Sequence, residues 1–282
     1  MIGLAQGIII ESLSALEIAE NVALAASVGW PDDETDWRSL HAGALVLGVR
    51  EAENLIAQGA LTKLEPGAGT IAKMIVAPSA QRRGIGAKIL DGLLSAAEQR
   101  KVTTLGLVAT PLGEPLYASR GFEVTGQVAV LMGEPKLDRT IKLVAIEDIE
   151  SVIAFEKRAI GCSRAMMLRE RFRDASASAI YLDAGGKISG FALANPKPKA
   201  SHTVVGPVIA EDEATARELM RAICAAISGA IRLDVPASHS SFRAWLAELG
   251  LAEKALRQEM ALGGPLPWQV PQRFALATQA WG

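Results

Sequence analysis

The residues best suited to chemistry form a glycine-rich loop between an apolar run and an amphipathic segment. The loop reads Gln81-Arg82-Arg83-Gly84-Ile85-Gly86 and follows the β-prone run Ile71 to Ala77 and Pro78. A helix that starts here presents unpaired backbone N–H groups and a partial positive charge, which together bind phosphate. The two glycines let a phosphate approach the main chain closely. The two arginines and Lys88 add positive charge, so the loop predicts a polyanionic ligand.

The spacing of the loop excludes two common phosphate-binding motifs. A Walker A loop needs Gly-Lys-Ser/Thr, whereas Gly86 is followed by Ala87 and Lys88. The dinucleotide fingerprint needs a third Gly or Ala where Ile89 stands.

A second motif lies further along the chain and reads Leu116-Tyr117-Ala118-Ser119-Arg120-Gly121-Phe122. Together with the run from Val76 through Gly86, it resembles the GNAT N-acetyltransferases. That family carries an acyl-CoA pyrophosphate loop and a Leu-Tyr-x-x-x-Gly-Phe motif in this order. The resemblance covers residues 7–132 well and the second half in outline, so the whole chain is similar to a tandem GNAT group with a divergent C-terminal copy.

This resemblance implies acetyl-CoA as co-substrate, no metal, and a role for each matching residue. Met74, Ile75 and Val76 would offer backbone groups to the pantetheine arm. Tyr117 would lie beside the thioester sulfur and protonate it as it leaves. The pyrophosphate would be bound by Gln81, Arg82, Arg83, Gly84, Ile85, Gly86, Ala87 and Lys88.

Acyl transfer to an amine makes two physical demands. A lysine-like amine has a pKa near 10.4, so holding it neutral at pH 7 costs about 4–5 kcal/mol. A base or a desolvating pocket must therefore help. The leaving thiolate has a pKa of about 8.5, and a phenol near 10 is a plausible donor to it.

The sequence departs from the family where a base is usually found. Many members carry a Glu on the strand before the loop, where this chain has Ile71, Ala72 and Lys73. Many carry an Asn after the next strand, where Thr110 stands nearby. Six other carboxylates could act as the base and none is singled out by spacing: Glu11, Asp32, Asp33, Glu34, Asp36 and Glu114.

Composition narrows the class of protein. The chain has 282 residues, 50% hydrophobic and 21% charged, which predicts two domains with sizeable cores. A net charge of −2 argues against nucleic-acid binding through a basic surface. No apolar run is long enough to cross a membrane, and no secretory signal is recognised. Cys162 and Cys224 are interpreted as buried residues in a reducing compartment, which favours the cytoplasm.

The order of apolar runs predicts an α/β (α+β) fold with tandem GNAT-like domains. Each would have a mixed, mostly antiparallel central sheet flanked by helices. Ser14 and Glu17 form a capping-box pattern ahead of a helix. Landmarks recur at a nearly constant offset, with Pro78 matching Pro207 and Gly121 matching Gly250. We infer a duplication: residues 1–135 (the first half), residues 140–262 (the second half) and a Pro-rich tail at 263–282 (the tail segment).

The second half has lost the features of the cofactor loop. The counterpart of the loop, Ala210 to Thr215, contains three carboxylates and no Gly-x-Gly, and the counterpart of Tyr117 is Leu246. Arg169, Arg171 and Arg173 alternate in a polar stretch, which predicts an exposed charged face.

Two functions remain open at this point, and a third, acetylation of a protein lysine or N-terminus, would need an open groove for a peptide. The first is an acetyl-CoA-dependent N-acetyltransferase that transfers an acyl group directly to the amine of a small molecule, with the first half binding the cofactor. The alternative is a non-catalytic CoA-binding sensor or interaction protein. Neither requires a nucleic acid or a membrane, and a homo-oligomer is left open.

Overall fold

The first half alternates helices with strands, in line with the apolar pattern. Ser14 and Glu17 form the expected capping box at the start of the segment that leads into the first helix. The amphipathic stretch that begins at Ile85 is a single long helix. The elements are β1 (Glu11–Leu13), α1 (Ile18–Ser27), α2 (Glu34–His41), β2 (Ala44–Glu51), β3 (Asn54–Leu64), β4 (Ala68–Val76), α3 (Ile85–Gln99), β5 (Thr104–Ala109), α4 (Glu114–Ala118) and β6 (Glu123–Gly133).

The second half repeats the same order of elements from α1 to β6. The computed structural model describes residues 8–136 and 145–281, so residues 137–139 of the boundary predicted at 133–139 lie outside the described residues. The elements are α5 (Ile149–Ile160), α6 (Ala165–Arg173), β7 (Ala177–Leu182), β8 (Ile188–Lys197), β9 (His202–Ala210), α7 (Glu213–Ala226), β10 (Ile231–Pro236), α8 (Ser240–Glu248), β11 (Ala252–Leu262) and β12 (Arg273–Ala275).

Of the two matched pairs of residues, Gly121 and Gly250 lie at equivalent places in the two halves, whereas Pro78 and Pro207 do not. Gly121 and Gly250 each precede the last strand of their half and have φ values of 83° and 99°, a conformation that favours glycine. Pro78 follows β4, whereas Pro207 lies inside β9. The match of Pro78 with Pro207 was therefore wrong, because a short local pattern does not fix the register of a strand.

Within the described residues, a single sheet of twelve strands joins the two halves. Its order is β1-β2-β3-β4-β5-β11-β6-β10-β9-β8-β7, with β12 paired to β9. The β4–β5 and β9–β10 pairs are parallel and the others are antiparallel, which agrees with the predicted fold class. The last strands are exchanged: β11 pairs with β5 of the first half, and β6 pairs with β10 of the second half. Each half therefore completes the sheet of the other.

The part of the chain that the structure describes has a hydrophobic core in three parts. One lies beneath α3 in the first half, and another lies beneath α7 and α8 in the second half. The third combines residues of α1, α2, α5 and α6 with Leu266, Trp268 and Trp281 of the tail segment. Because the tail segment belongs to a core shared by both halves, it is a structural part of the fold.

Two parallel pairings are short, and each leaves a gap between its strands. The β4–β5 pairing ends at Thr70 and Gly106, and we call the gap beyond it the first wedge. The β9–β10 pairing ends at Val204 and Arg232, and the gap beyond it is the second wedge.

The tail segment fills the second wedge. Its strand β12 pairs antiparallel with β9, with Arg273 opposite Ile209. On the other side, the Leu276 N–H donates to the Asp234 carbonyl of β10 at 2.8 Å. The sequence predicted no strand in this segment. Strand β12 has only three residues, and so short a run among prolines and polar residues carries no periodic signal.

The stretch with alternating arginines forms helix α6, and the prediction that all three arginines lie on an exposed face was wrong. Arg169 and Arg173 are exposed, but Arg171 is buried and its Nη2 donates to the Gly206 carbonyl at 2.9 Å. Burial lowers the pKa of Arg171 to about 10. A helical repeat places every third or fourth residue on one face, which is why alternate arginines do not share an environment.

A buried ion pair fixes the tail segment to the sheet. Arg273 on β12 donates from both Nη atoms to the carboxylate oxygens of Glu259 on β11, each at 2.9 Å. We expect Arg273→Met to lower the free energy of unfolding by about 3–5 kcal/mol, because it leaves a buried carboxylate without its partner. Urea denaturation would measure this.

Two further variants test the cause of that loss. The double variant Arg273→Met/Glu259→Leu should recover much of the stability, since it removes both charges. Arg169→Met breaks the exposed pair with Glu150 and should change stability by less than about 1 kcal/mol. Equal losses in Arg273→Met and Arg169→Met would contradict the importance of burial.

Candidate functional site

The first wedge contains the strand segment expected to bind pantetheine. Met74, Ile75 and Val76 form the end of β4, beyond the last pairing with β5. Their other edge is paired to β3, with Ile75 opposite Gln58. A bulge at Lys73, which has a φ of 53°, turns β4 at the point where the wedge opens. This edge can therefore accept an extended ligand as an added strand.

The glycine-rich loop leads directly from this strand into α3. Gly84 is the N-cap residue of α3 with a φ of 77°, and no side chain caps the helix start. A Cβ added at Gly84 would meet nothing within 4 Å. The helix start is thus uncapped and has open space beside its N-cap residue, a geometry that suits an anion.

The side chains of the loop are arranged around this helix start. Arg82, which has a φ of 60°, Arg83 and Lys88 are exposed, while Ile85 is buried and anchors the helix. Arg83 pairs with Glu51 at 2.7 Å. The Gln81 amide donates to the Val76 carbonyl at 3.1 Å, which ties the loop to the strand. Two of the three cationic side chains therefore lack a carboxylate partner among the described residues.

Close packing keeps the loop against the second motif. A Cβ at Gly86 would lie 3.4 Å from Val76 and 3.7 Å from Leu116. The structure thus brings together β4, the loop and α4, as the sequence predicted from two separate motifs.

Tyr117 lies on α4 at the inner side of this arrangement. It is 8% exposed, and its ring meets the edge of Phe122 with centroids 5.9 Å apart. Burial raises the pKa of Tyr117 to about 12. The phenol therefore stays protonated at neutral pH and can donate a hydrogen bond.

The acidic loop before α2 forms ion pairs. Both carboxylate oxygens of Asp32 accept from the Lys73 ammonium at 2.7 Å, and the ammonium lies 5.7 Å from the Trp30 ring and 5.8 Å from the Trp37 ring. The Lys73 side chain, which starts at the bulge of β4, therefore has its ammonium beside two aromatic rings and the Asp32 carboxylate.

The neighbouring carboxylates are paired across the two halves. Asp36 accepts from Lys197 of β8, and Asp33 lies 3.8 Å from the same ammonium. Burial raises the pKa of Asp36, but the positive charges of Lys73 and Lys197 outweigh that effect and lower it. Glu11 pairs with Arg50. Asp36 is therefore a poor base while paired, because the adjacent cations favour its ionised form.

A small cavity marks the apex of the first wedge. Its volume is about 10 Å³, room for about one water molecule. Sequence reasoning missed its lining, because the residues come from β4, β5, β11 and the tail segment and no local pattern links them. They are Thr70, Gly106, Leu107, Val108, Glu259, Trp268 and Gln279.

The second half provides a contrasting version of the same geometry. The start of α7 is capped by Asp212, whose carboxylate accepts from the Thr215 N–H at 2.8 Å. That hydrogen bond lowers the pKa of Asp212. Leu246 lies fully buried in α8, and β12 occupies the second wedge. In the second half, Asp212 thus caps the helix start and β12 covers the strand edge. In the first half, the equivalent helix start is uncapped and the equivalent strand edge is open.

Other chemistry finds little support in the described residues. Burial raises the pKa of the Cys162 thiol to about 11 and that of Cys224 to about 12, so both thiols are protonated at neutral pH. Within residues 8–136 and 145–281, no group of three or more His, Cys, Asp or Glu side chains could hold a metal ion. No helix in these ranges is both long and apolar enough to cross a bilayer.

Comparison with known proteins adds independent information. Two parts of the chain match family models described as Acetyltransferase (GNAT) domain, at residues 36–134 and 152–274. The uncharacterized N-acetyltransferase YitH of Bacillus subtilis (strain 168) is 25% identical over 266 residues. That match covers 92% of this chain and 93% of the relative.

Two solved structures share the fold over most of their length. A putative acetyltransferase from Pyrococcus horikoshii has a TM-score of 0.82 at 20% identity, covering 100% of this chain and 99% of that chain. A tandem GNAT protein from the clavulanic acid biosynthesis pathway has a TM-score of 0.65 at 16% identity, covering 92% and 99%. At these identities the likeness supports the shared fold and nothing finer.

Proposed function

Because the chain belongs to the GNAT acetyltransferase family as a tandem of two GNAT domains, we propose that its first half binds acetyl-CoA and transfers the acetyl group to the amine of a small molecule. The observation that carries this proposal is the asymmetry of the two wedges. The first has an open strand edge and an uncapped helix start, whereas β12 and Asp212 occupy the equivalent places in the second.

The residues of the first wedge fit a CoA molecule. A ligand chain can pair with the edge of Met74, Ile75 and Val76, since β5 has already diverged there. The pyrophosphate can take the N–H groups that begin at Gly84, where neither a capping side chain nor a Cβ intervenes. Arg82 and Lys88 supply positive charge at the same helix start.

In the proposed reaction, acetyl-CoA supplies an activated acyl group and a thiolate leaving group. The first half holds the thioester and the amine together, which supplies much of the rate. Tyr117 donates a hydrogen bond to the departing sulfur. Full proton transfer from a phenol with a pKa near 12 to a thiolate near 8.5 is uphill by about 5 kcal/mol, so charge stabilisation is the larger part of its role.

A small acceptor suits the covered face of the sheet. An acetyltransferase that modifies a peptide needs an open groove beside the thioester. Here Trp268 and Gln279 of the tail segment lie over the apex of the first wedge, and the cavity below them is about 10 Å³. This cover favours a small amine over a protein side chain or terminus.

A CoA-binding sensor is the second candidate, and the ion pairs of the acidic loop favour it. Asp32 is paired with Lys73, and Asp36 with Lys197, so neither is a ready base. Under this alternative, acetyl-CoA binds in the first wedge and no amine is acetylated. A screen of small amines that measures free thiol release separates the two functions.

Calorimetric titration with acetyl-CoA tests the proposed site. We expect one molecule bound per chain, because only the first wedge is open. Two molecules per chain would contradict the assignment of β12 and Asp212 as occupants of the second site. No binding would overturn the proposal, and the thermal stability of the same sample would show whether the protein was folded.

A further inference from the structure

The tail segment does more than fill the second wedge, because it also makes contacts near the first wedge. After β12 it continues past the second wedge towards the first. The Gln279 side chain donates to Asp234 of β10 at 3.3 Å, and the Ala280 carbonyl accepts from the Thr70 hydroxyl of β4 at 3.2 Å. The segment therefore bridges the apices of the two wedges.

An earlier part of the same segment covers β5. A Cβ at Gly106 would lie 2.5 Å from the Trp268 ring and 2.7 Å from Leu266, so only glycine allows this contact. Trp268 is 1% exposed. The apex of the first wedge is thus covered from one side by Trp268 and from another by Gln279 and Ala280.

Several contacts hold this cover in place. Arg273 is paired with Glu259, and the Gln269 amide donates to the same carboxylate at 2.8 Å. The Trp281 carbonyl accepts from Arg164 of the second half at 3.1 Å. A segment bound at both ends by buried groups excludes water from what lies beneath it.

We propose that the parts of the tail segment that cover the apex, Trp268 and residues 279–281, form the acceptor-side wall of the catalytic site, with Gln279 and Thr70 as residues that determine which amine is accepted. This inference rests on the proposed function, because it places the reacting thioester at the apex of the first wedge. The wall limits the acceptor to an amine whose nitrogen enters a space of about one atom. It also limits the access of bulk water to the thioester.

Water is the probe that tests the wall without knowledge of the acceptor. In acetyl-CoA hydrolysis, a water oxygen forms a bond to the thioester carbon, the C–S bond breaks, and acetate and the free thiol are released. A chain that ends after Ala277 lacks Gln279, Ala280 and Trp281. We expect its hydrolysis rate with no amine present to rise about tenfold, because water reaches the apex.

Side-chain variants provide the same test with less disturbance of the fold. Gln279→Ala and Thr70→Val should each raise hydrolysis several-fold and raise the KM for the amine that a screen identifies. Gln272→Ala is the matched control, since Gln272 lies in the same segment and bonds through its backbone carbonyl to the Ala210 N–H. The affinity for acetyl-CoA should be unchanged in all three.

The outcomes separate this inference from the function on which it rests. If the full chain binds acetyl-CoA and the folded variants hydrolyse it no faster than the full chain, the wall is overturned and the proposed function stands. If the full chain does not bind acetyl-CoA, the proposed function is overturned, and the wall with it. Faster hydrolysis in the shortened chain and in Gln279→Ala, but not in Gln272→Ala, supports the wall.

Discussion

Replacing Gly84 with alanine is expected to weaken acetyl-CoA binding roughly 10- to 100-fold, the equivalent of one charge-assisted hydrogen bond of about 1.5–3 kcal/mol. The new Cβ would stand in open space at the N-cap of α3, where we propose that the phosphate lies. It would hold the phosphate away from the α3 N–H groups, and the φ of 77° would become unfavourable. Calorimetric titration of the variant with acetyl-CoA measures the loss.

Gly186→Ala provides a control for backbone strain. Gly186 also has a φ of 77° and open space where a Cβ would stand, but it lies in the β7–β8 hairpin of the second half. Both variants should lose a similar amount of thermal stability, about 1–2 kcal/mol. Only Gly84→Ala should lose acetyl-CoA affinity. Equal affinity for acetyl-CoA in the two variants would show that the loop is not part of the binding site.

Tyr117→Phe is expected to lower kcat by about 10²–10⁴, the range for a positioned proton or hydrogen-bond donor. The phenyl ring keeps the packing against Phe122, so the fold and the affinity for acetyl-CoA should be retained. Steady-state kinetics with the amine from a screen, together with calorimetry, separate the two parameters.

The pH dependence of this variant gives a further check. Tyr117 acts in its protonated form, which is present below its pKa and lost as pH rises through that value. With the pKa raised to about 12, the ratio of kcat between the native protein and Tyr117→Phe should stay constant from pH 7 to about 10. A phenol with an ordinary pKa near 10 would make that ratio fall above about pH 9.

Tyr181→Phe is the matched control, because the chain has two tyrosines and Tyr181 is 41% exposed on β7. It should leave kcat unchanged. A Tyr117→Phe protein with full kcat would exclude Tyr117 from the reaction. A protein that acetylates no amine in either form, yet binds acetyl-CoA, would be the sensor.

The exchange of β6 and β11 makes the second half a structural part of the proposed site in the first wedge. Strand β11 lies between β5 and β6, and its Glu259 lies opposite Val108 of β5. The second half therefore contributes a strand, and through it Glu259, to the apex of the first wedge. Loss of the second half would remove part of the first site.

Several features of this protein were determined by the sequence alone. The glycine-rich loop, the Leu-Tyr motif and the repeat of helices and strands depend on local spacing, which can be read directly from the sequence. The structure places the loop at the start of α3 and Tyr117 on α4, close to the predicted positions. The capping box at Ser14 is local in the same sense, since its partners are three residues apart.

Other features were decided only by the tertiary structure. The exchange of the last strands, the occupation of the second wedge by β12 and the lining of the apex each join residues far apart in sequence, as Thr70 and Ala280 show. Such contacts depend on which surfaces remain to be buried after the local elements have formed. Arg171 and Glu259 are charged residues whose burial no local pattern indicates, because their partners come from other strands. The sequence thus identified the loop that we propose to bind acetyl-CoA, and tertiary packing decided what stands opposite it.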